Sequence, residues 1–177
     1  MTSTSQPAAD RRPRVVLIGS MGAGKSTVGA ALAARWGVAF RDTDVDIEVR
    51  AGKPISEIFV DDGEAHFRAL ERDAVETALR EHDGVLALGG GAVMTPAVRD
   101  ALDGHVVVLL EVGLTDAVKR VGVGVGRPLL LGNIRSRIKQ LLDERTPIYR
   151  SVATYVVDTT DTDPADVARA VADLVEH

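Results

Sequence analysis

The run Gly19-Ser20-Met21-Gly22-Ala23-Gly24-Lys25-Ser26 fits the pattern G-x-x-x-x-G-K-[ST]. Its chemistry follows from its residue types. Glycines let backbone N–H groups wrap around phosphate oxygens, and the N-terminus of a following helix adds the positive end of its dipole. In this pattern Lys25 reaches the β- and γ-phosphates, and the Ser26 hydroxyl is a ligand for Mg²⁺. The motif needs a strand before it and a helix after it. Both are expected: Val15–Ile18 is a continuous apolar run, and Lys25–Trp36 carries Val28, Ala31 and Leu32 at helical spacing. The ligand implied is a nucleoside triphosphate. What its phosphate is used for is a separate question.

Further along, Asp42-Thr43-Asp44 follows a second short strand, Val38–Arg41. Ligands of open α/β sheets sit outside the carboxyl ends of strands, so both carboxylates are expected at the same crevice. One would orient Mg²⁺ through its waters and the other would accept a hydrogen bond from a substrate hydroxyl. Helix N-capping is the competing role for either aspartate. Asp46 and Glu48 read as ordinary solvated helix positions. Arg68 stands beside Phe67 with Glu71 three residues on, a pair that serves structure as well as function. Gly89-Gly90-Gly91 ends a third strand, Val85–Leu88, either as a place of close ligand approach or as a tight turn. Arg127, in a glycine-rich stretch before Pro128, is placed to swing onto a transferring phosphate. Arg145 precedes Thr146-Pro147-Ile148-Tyr149; its guanidinium fork suits a small carboxylate, and a surface helix position is the alternative.

The elements that must position these residues alternate along the chain. A helix is expected over Asp44–Ala51, a long amphipathic one over Gly63–Glu81 with Phe67, Leu70, Ala74 and Ala78 on its stripe, and a short one over Pro96–Leu102. His105–Val112 is the most apolar strand. Helical patterns follow at Leu114–Arg120 and around Ile134, Ile138, Leu141 and Leu142. Thr154–Val157 is a fifth strand, and Asp163-Pro164 caps a last helix marked by Val167, Val171, Leu174 and Val175. Strands alternating with helices imply a three-layer α/β fold around a parallel sheet. The stretch from Val121 to Asn133 is short enough to be a mobile lid within one domain spanning residues 14–177. Residues 1–13 are polar or small and read as a disordered tail.

Composition bounds the function. The 177 residues are 45% hydrophobic and 27% charged, as in a soluble globular domain. The net charge of −5 argues against non-specific nucleic-acid binding, and the 3% aromatic content against base-stacking platforms. Absence of cysteine excludes disulfides and zinc–thiolate sites. No apolar run approaches a membrane span and the tail has no signal-peptide core, so a cytoplasmic protein is expected.

Taken in order, Gly19–Thr27, Asp42–Asp44, Phe67-Arg68 with Glu71, Leu88–Val93, Arg127–Leu130 and Arg145–Tyr149 resemble the shikimate kinase family. This is a branch of the nucleoside-monophosphate-kinase-like P-loop NTPases. The resemblance implies a five-stranded sheet of order 2-3-1-4-5 and Mg²⁺-assisted transfer of phosphate from ATP to the 3-hydroxyl of shikimate, in aromatic amino-acid biosynthesis. It implies that Gly22, Ala23, Gly24, Lys25, Ser26 and Thr27 hold the ATP phosphates, with Arg127 closing from the lid, and that Arg120 and Pro164 flank the adenine. It gives Asp44 to the substrate hydroxyls, Asp42 and Ser26 to the Mg²⁺ environment, and Arg68, Arg145 and Gly89–Gly91 to the shikimate pocket, with Glu71 steadying its arginine side. It assigns no ATP contact to the side chains of Thr159–Asp163, and implies a monomer. A kinase for another small hydroxy-acid such as gluconate, and a regulatory P-loop ATPase without an acceptor, are the rival readings.

Overall fold

In the computed structural model, which describes residues 11–122 and 131–177, the apolar runs form one parallel sheet of five strands. They are β1 (Val15–Ile18), β2 (Phe40–Asp42), β3 (Val85–Ala87), β4 (Val107–Glu111) and β5 (Tyr155–Asp158), in the spatial order β2-β3-β1-β4-β5. The register sets Val15 opposite Val85, Val16 opposite Val107 and Phe40 opposite Val85. All four residues of β1 are buried, because helices cover both faces. Alternation along the strand sends Val15 and Leu17 into one core, with Val28 and Leu32 of α1 (Lys25–Trp36) and Val167 and Val171 of α8 (Pro164–Glu176). Val16 and Ile18 enter the other core, with Val75, Ala78 and Leu79 of α4 (Glu64–Glu81) and Val98 of α5 (Pro96–Ala101). The sheet therefore has the order that the family resemblance implies.

Around the carboxyl ends of β1, β2 and β3 lie α2 (Thr43–Ala51), a 3₁₀ turn at Ala92–Met94, α6 (Leu114–Gly122) and α7 (Leu131–Val152). Asp163 accepts a hydrogen bond from Ala165 N at 2.9 Å, with Pro164 at the first helical position of α8, as the sequence indicates. Leu174 of that helix is exposed, so the apolar stripe of α8 ends with Val171 and the partly buried Val175.

Three features depart from the sequence reading. A helix α3 (Ile55–Asp62) stands between Ala51 and Gly63, where the sequence reading placed no element. Ile58 is fully buried and packs with Ile47 and Phe67 in a third small core. Ile55 N donates to Glu48 at 3.1 Å, and Asp46 pairs with Arg41 at 2.6 Å, so neither acid is merely solvated. Second, α7 runs on past Leu142 through Pro147 to Val152, which makes Arg145 and Tyr149 helical residues one turn apart. Third, Pro13, assigned to the tail, is buried, and Arg14 N donates to Gly84 O at 2.8 Å.

Candidate active site

The phosphate loop joins β1 to α1 at the carboxyl edge of the sheet. Gly22 and Gly24 take φ values of 81° and 90°, a region that L side chains rarely enter, so the wrapping loop depends on glycine at both positions. Ala23 N donates to Ser20 O at 3.1 Å and closes the turn. The Lys25 ammonium lies back along the loop and donates to Gly19 O at 2.7 Å and Ser20 O at 3.0 Å. Burial lowers its pKa to about 8; Asp44 and Asp42 oppose that shift and Arg145 adds to it.

Asp42 takes the capping role with one oxygen and a neighbouring hydroxyl with the other. Its Oδ1 accepts from Asp44 N at 2.8 Å and caps α2, while its Oδ2 accepts from the Ser26 hydroxyl at 3.2 Å. The cap turns the chain so that Asp44, two residues on, faces the cleft. Burial, and then the neighbouring Asp42 charge, push the Asp44 carboxyl above its usual range.

Across the cleft, Gly89–Gly91 follow β3. A Cβ on Gly89 would collide with Asp44 Oδ1, and one on Gly91 would lie 2.7 Å from both terminal nitrogens of Arg68. The triplet is therefore a seat for two functional side chains as well as a turn. Arg68 donates to Glu71 at 2.7 Å. Glu71 is only 1% exposed, and burial raises its pKa against the pull of Arg68. Lys25, Ser26, Asp42, Asp44, Arg68 and Arg145 all line one cleft of about 430 Å³, together with Gly90, Gly91 and an apolar wall of Ile55, Phe59 and Phe67. A larger cavity of about 610 Å³ opens beside β4 and α7, but it holds neither Asp44 nor Arg68 nor Arg145.

On the far side of the phosphate loop is a second recess of about 200 Å³, lined by Gly24, Thr27, Arg120, Thr159, Thr162 and Pro164 among others. Arg120 donates to Gly22 O at 2.8 Å and to Thr159 O at 3.0 Å. Thr159, only 2% exposed, has its hydroxyl 2.9 Å from Glu111 O, to which it donates, and 3.3 Å from Ala23 O. The two recesses meet at the phosphate loop, as a site for a nucleotide and an acceptor requires. Arg127 lies outside the described residues, as does most of the stretch expected to form the lid.

Comparison with known proteins decides the family. The family model described as shikimate kinase matches residues 21–176. The chain belongs to the shikimate kinase family. A shikimate kinase of Salinispora arenicola is 59% identical over 92% of this chain and 98% of its own length. One from Thermobifida fusca is 58% identical over 91% of this chain and 94% of its own. Among solved structures, the shikimate kinase of Acinetobacter baumannii in complex with shikimate superposes with a TM-score of 0.86 at 34% identity, covering 94% of this chain and 93% of that one.

In this member of the shikimate kinase family, sequence reasoning named Glu71 as the partner of Arg68 but missed other groups that hold the cleft. Thr43, fully buried, takes a hydrogen bond from Gly89 N at 3.3 Å. Tyr149 donates its hydroxyl to Gly90 O. Thr159 and Thr162 line the recess of about 200 Å³ beside Arg120 and Pro164, in a loop from which sequence reasoning drew no side chain. The apolar wall from α3 had a signal in Ile55, Ile58 and Phe59 at helical spacing. The hydroxyl groups had none, since their partners are backbone atoms distant in sequence.

Proposed function

We propose that this chain transfers the γ-phosphoryl group of ATP to the 3-hydroxyl of shikimate, giving shikimate 3-phosphate and ADP for aromatic amino-acid biosynthesis. The supporting observation is one cleft that holds a phosphate-loop lysine, a carboxylate of raised pKa and two arginines. Lys25 leaves the Gly19 and Ser20 carbonyls for the β- and γ-phosphates. The backbone of Gly22, Ala23 and Gly24, with Ser26 and Thr27 at the start of α1, cradles the same group. Arg120 and Pro164 border the adenine. Arg68, steadied by Glu71, and Arg145 hold the acceptor's carboxylate, and Gly89–Gly91 let its ring approach the backbone. Asp44 orients the attacking hydroxyl and takes up its proton as the O–P bond forms; its raised pKa suits it to that exchange. Arg127 belongs to this proposal as the residue that neutralises charge from the lid.

The Ser26 hydroxyl and Asp42 carboxylate, 3.2 Å apart, are a hard-oxygen pair of the kind Mg²⁺ accepts alongside waters and phosphate oxygens. When bound there, Mg²⁺ supplies charge neutralisation for the phosphate oxygens. The same reading takes residues 14–177 as one kinase unit with a lid near 121–133. It takes the protein as a cytoplasmic monomer acting on two small molecules, without nucleic acid or membrane. Among the described residues no helix is long and apolar enough to cross a membrane.

ADP release followed with and without shikimate tests the assignment. Release that requires shikimate is expected. Release with gluconate instead would point to the other small-acid kinase reading, and release without any acceptor to a regulatory ATPase; either overturns the proposal.

A further inference from the structure

Tyr149 follows Arg145 by one turn of α7, so the two side chains lie on one helix face. The ring of Tyr149 is 2% exposed and packs in the core with Ile18, Leu88 and Leu109. That core needs only the ring. The hydroxyl, in contrast, donates to Gly90 O, the middle carbonyl of the glycine triplet. Gly90 lies between the phosphate loop and the arginine: a Cβ on it would stand 3.5 Å from Met21 N and 3.8 Å from Arg145 Nη1. The triplet is thus held at two points. Thr43, next to Asp44, holds Gly89 N, and Tyr149, one turn from Arg145, holds Gly90 O.

We propose that Tyr149 is a positioning residue for the acceptor half of the site: its bond to Gly90 O fixes the spacing between the glycine turn and Arg145, and thereby the geometry in which the acceptor's carboxylate is gripped. The proposal rests on the functional reading given above. Tyr149 is not among the residues that line the cleft. It acts by tying α7, which carries Arg145, to the strand-end turn on which the acceptor ring rests. Among the described residues the other polar tie from α7 to the strand ends, Arg150 to Glu111, reaches β4 and not the glycine turn, so the spacing at the turn itself depends on Tyr149.

Tyr149→Phe keeps the ring and removes the donor. The KM for shikimate is expected to rise about five- to tenfold, the loss of one positioned hydrogen bond. KM for ATP and kcat should change by less than about twofold, because the phosphate loop is untouched. In an Arg145→Ala background the same substitution should alter the shikimate KM by less than about twofold, since the spacing it controls no longer matters. The proposal is overturned by an unchanged shikimate KM, by an equal rise in the KM for ATP, or by the full effect persisting without Arg145. Shikimate-dependent ADP release by the unmodified chain separates the two levels: if it is absent, the functional reading fails and this inference with it; if it is present and Tyr149→Phe behaves like the parent, only this inference fails.

Discussion

Lys25 should take up a proton when the nucleotide binds. In the free protein burial holds its pKa at about 8, against the pull of Asp44 and Asp42. At pH 7 about nine-tenths of the molecules carry the ammonium, at pH 8 about half, and at pH 9 about one-tenth. ATP brings several negative charges to this nitrogen, which raises its pKa well above the working range. The expected uptake on binding is therefore about 0.1 proton at pH 7, about 0.5 at pH 8 and about 0.9 at pH 9. Titration calorimetry of Mg·ATP in two buffers of different ionisation enthalpy measures this number directly, without catalysis. Asp44 is the largest charge that supports the ammonium, so Asp44→Asn should move the uptake curve to lower pH. Uptake below about 0.1 proton at both pH 8 and pH 9 would mean instead that Lys25 is already fully charged in its carbonyl nest.

Three further outcomes follow from the same geometry. Asp44→Asn should leave ATP affinity within about threefold and lower kcat about 10²- to 10⁴-fold, measured by coupled ADP release, because it removes the proton acceptor but no phosphate contact. Gly89→Ala places a methyl group on Asp44 Oδ1; kcat/KM for shikimate should fall tenfold or more while ATP binding by calorimetry persists. The folded pKa of Glu71 is raised by burial, so this group favours folding below its unfolded pKa and loses that contribution as pH rises through its folded value. The Tm of Glu71→Gln relative to the parent should accordingly increase as pH rises above about 4, the ordinary glutamate range, in thermal melts, even as its KM for shikimate rises through the loosened Arg68.

How much of this was legible in the sequence depended on where each residue's partner lies. The phosphate loop is read from local spacing alone, since its loop, lysine and hydroxyl are contiguous and the flanking elements show their periods. Asp42 could be read as a cap or as a metal-side residue; the structure has it cap α2 through one oxygen and accept from the Ser26 hydroxyl, 16 positions away, through the other. The helical course of α7 through Pro147 was not legible, because proline ordinarily marks an end. Nor was the pairing of Tyr149 with Gly90, 59 positions apart, or of Thr159 with Ala23, 136 positions apart. Such contacts exist only once β3 lies beside β1 and α7 lies across their ends.

The same partners explain how an acidic chain keeps a cationic cleft. In the free protein Lys25 is bonded to Gly19 and Ser20, Arg120 to Gly22 and Thr159, and Arg68 to Glu71. Each of these three cations rests on a carbonyl dipole or a buried carboxylate before any ligand arrives. For Lys25, binding is then an exchange of two carbonyl bonds for phosphate oxygens. A full negative charge displaces a carbonyl dipole from an ammonium; a neutral hydroxyl or ribose oxygen does not, because the bonds given up and gained are then of similar strength. The loop therefore selects for phosphate by what its lysine must release, and adenosine alone leaves Lys25 on its carbonyls.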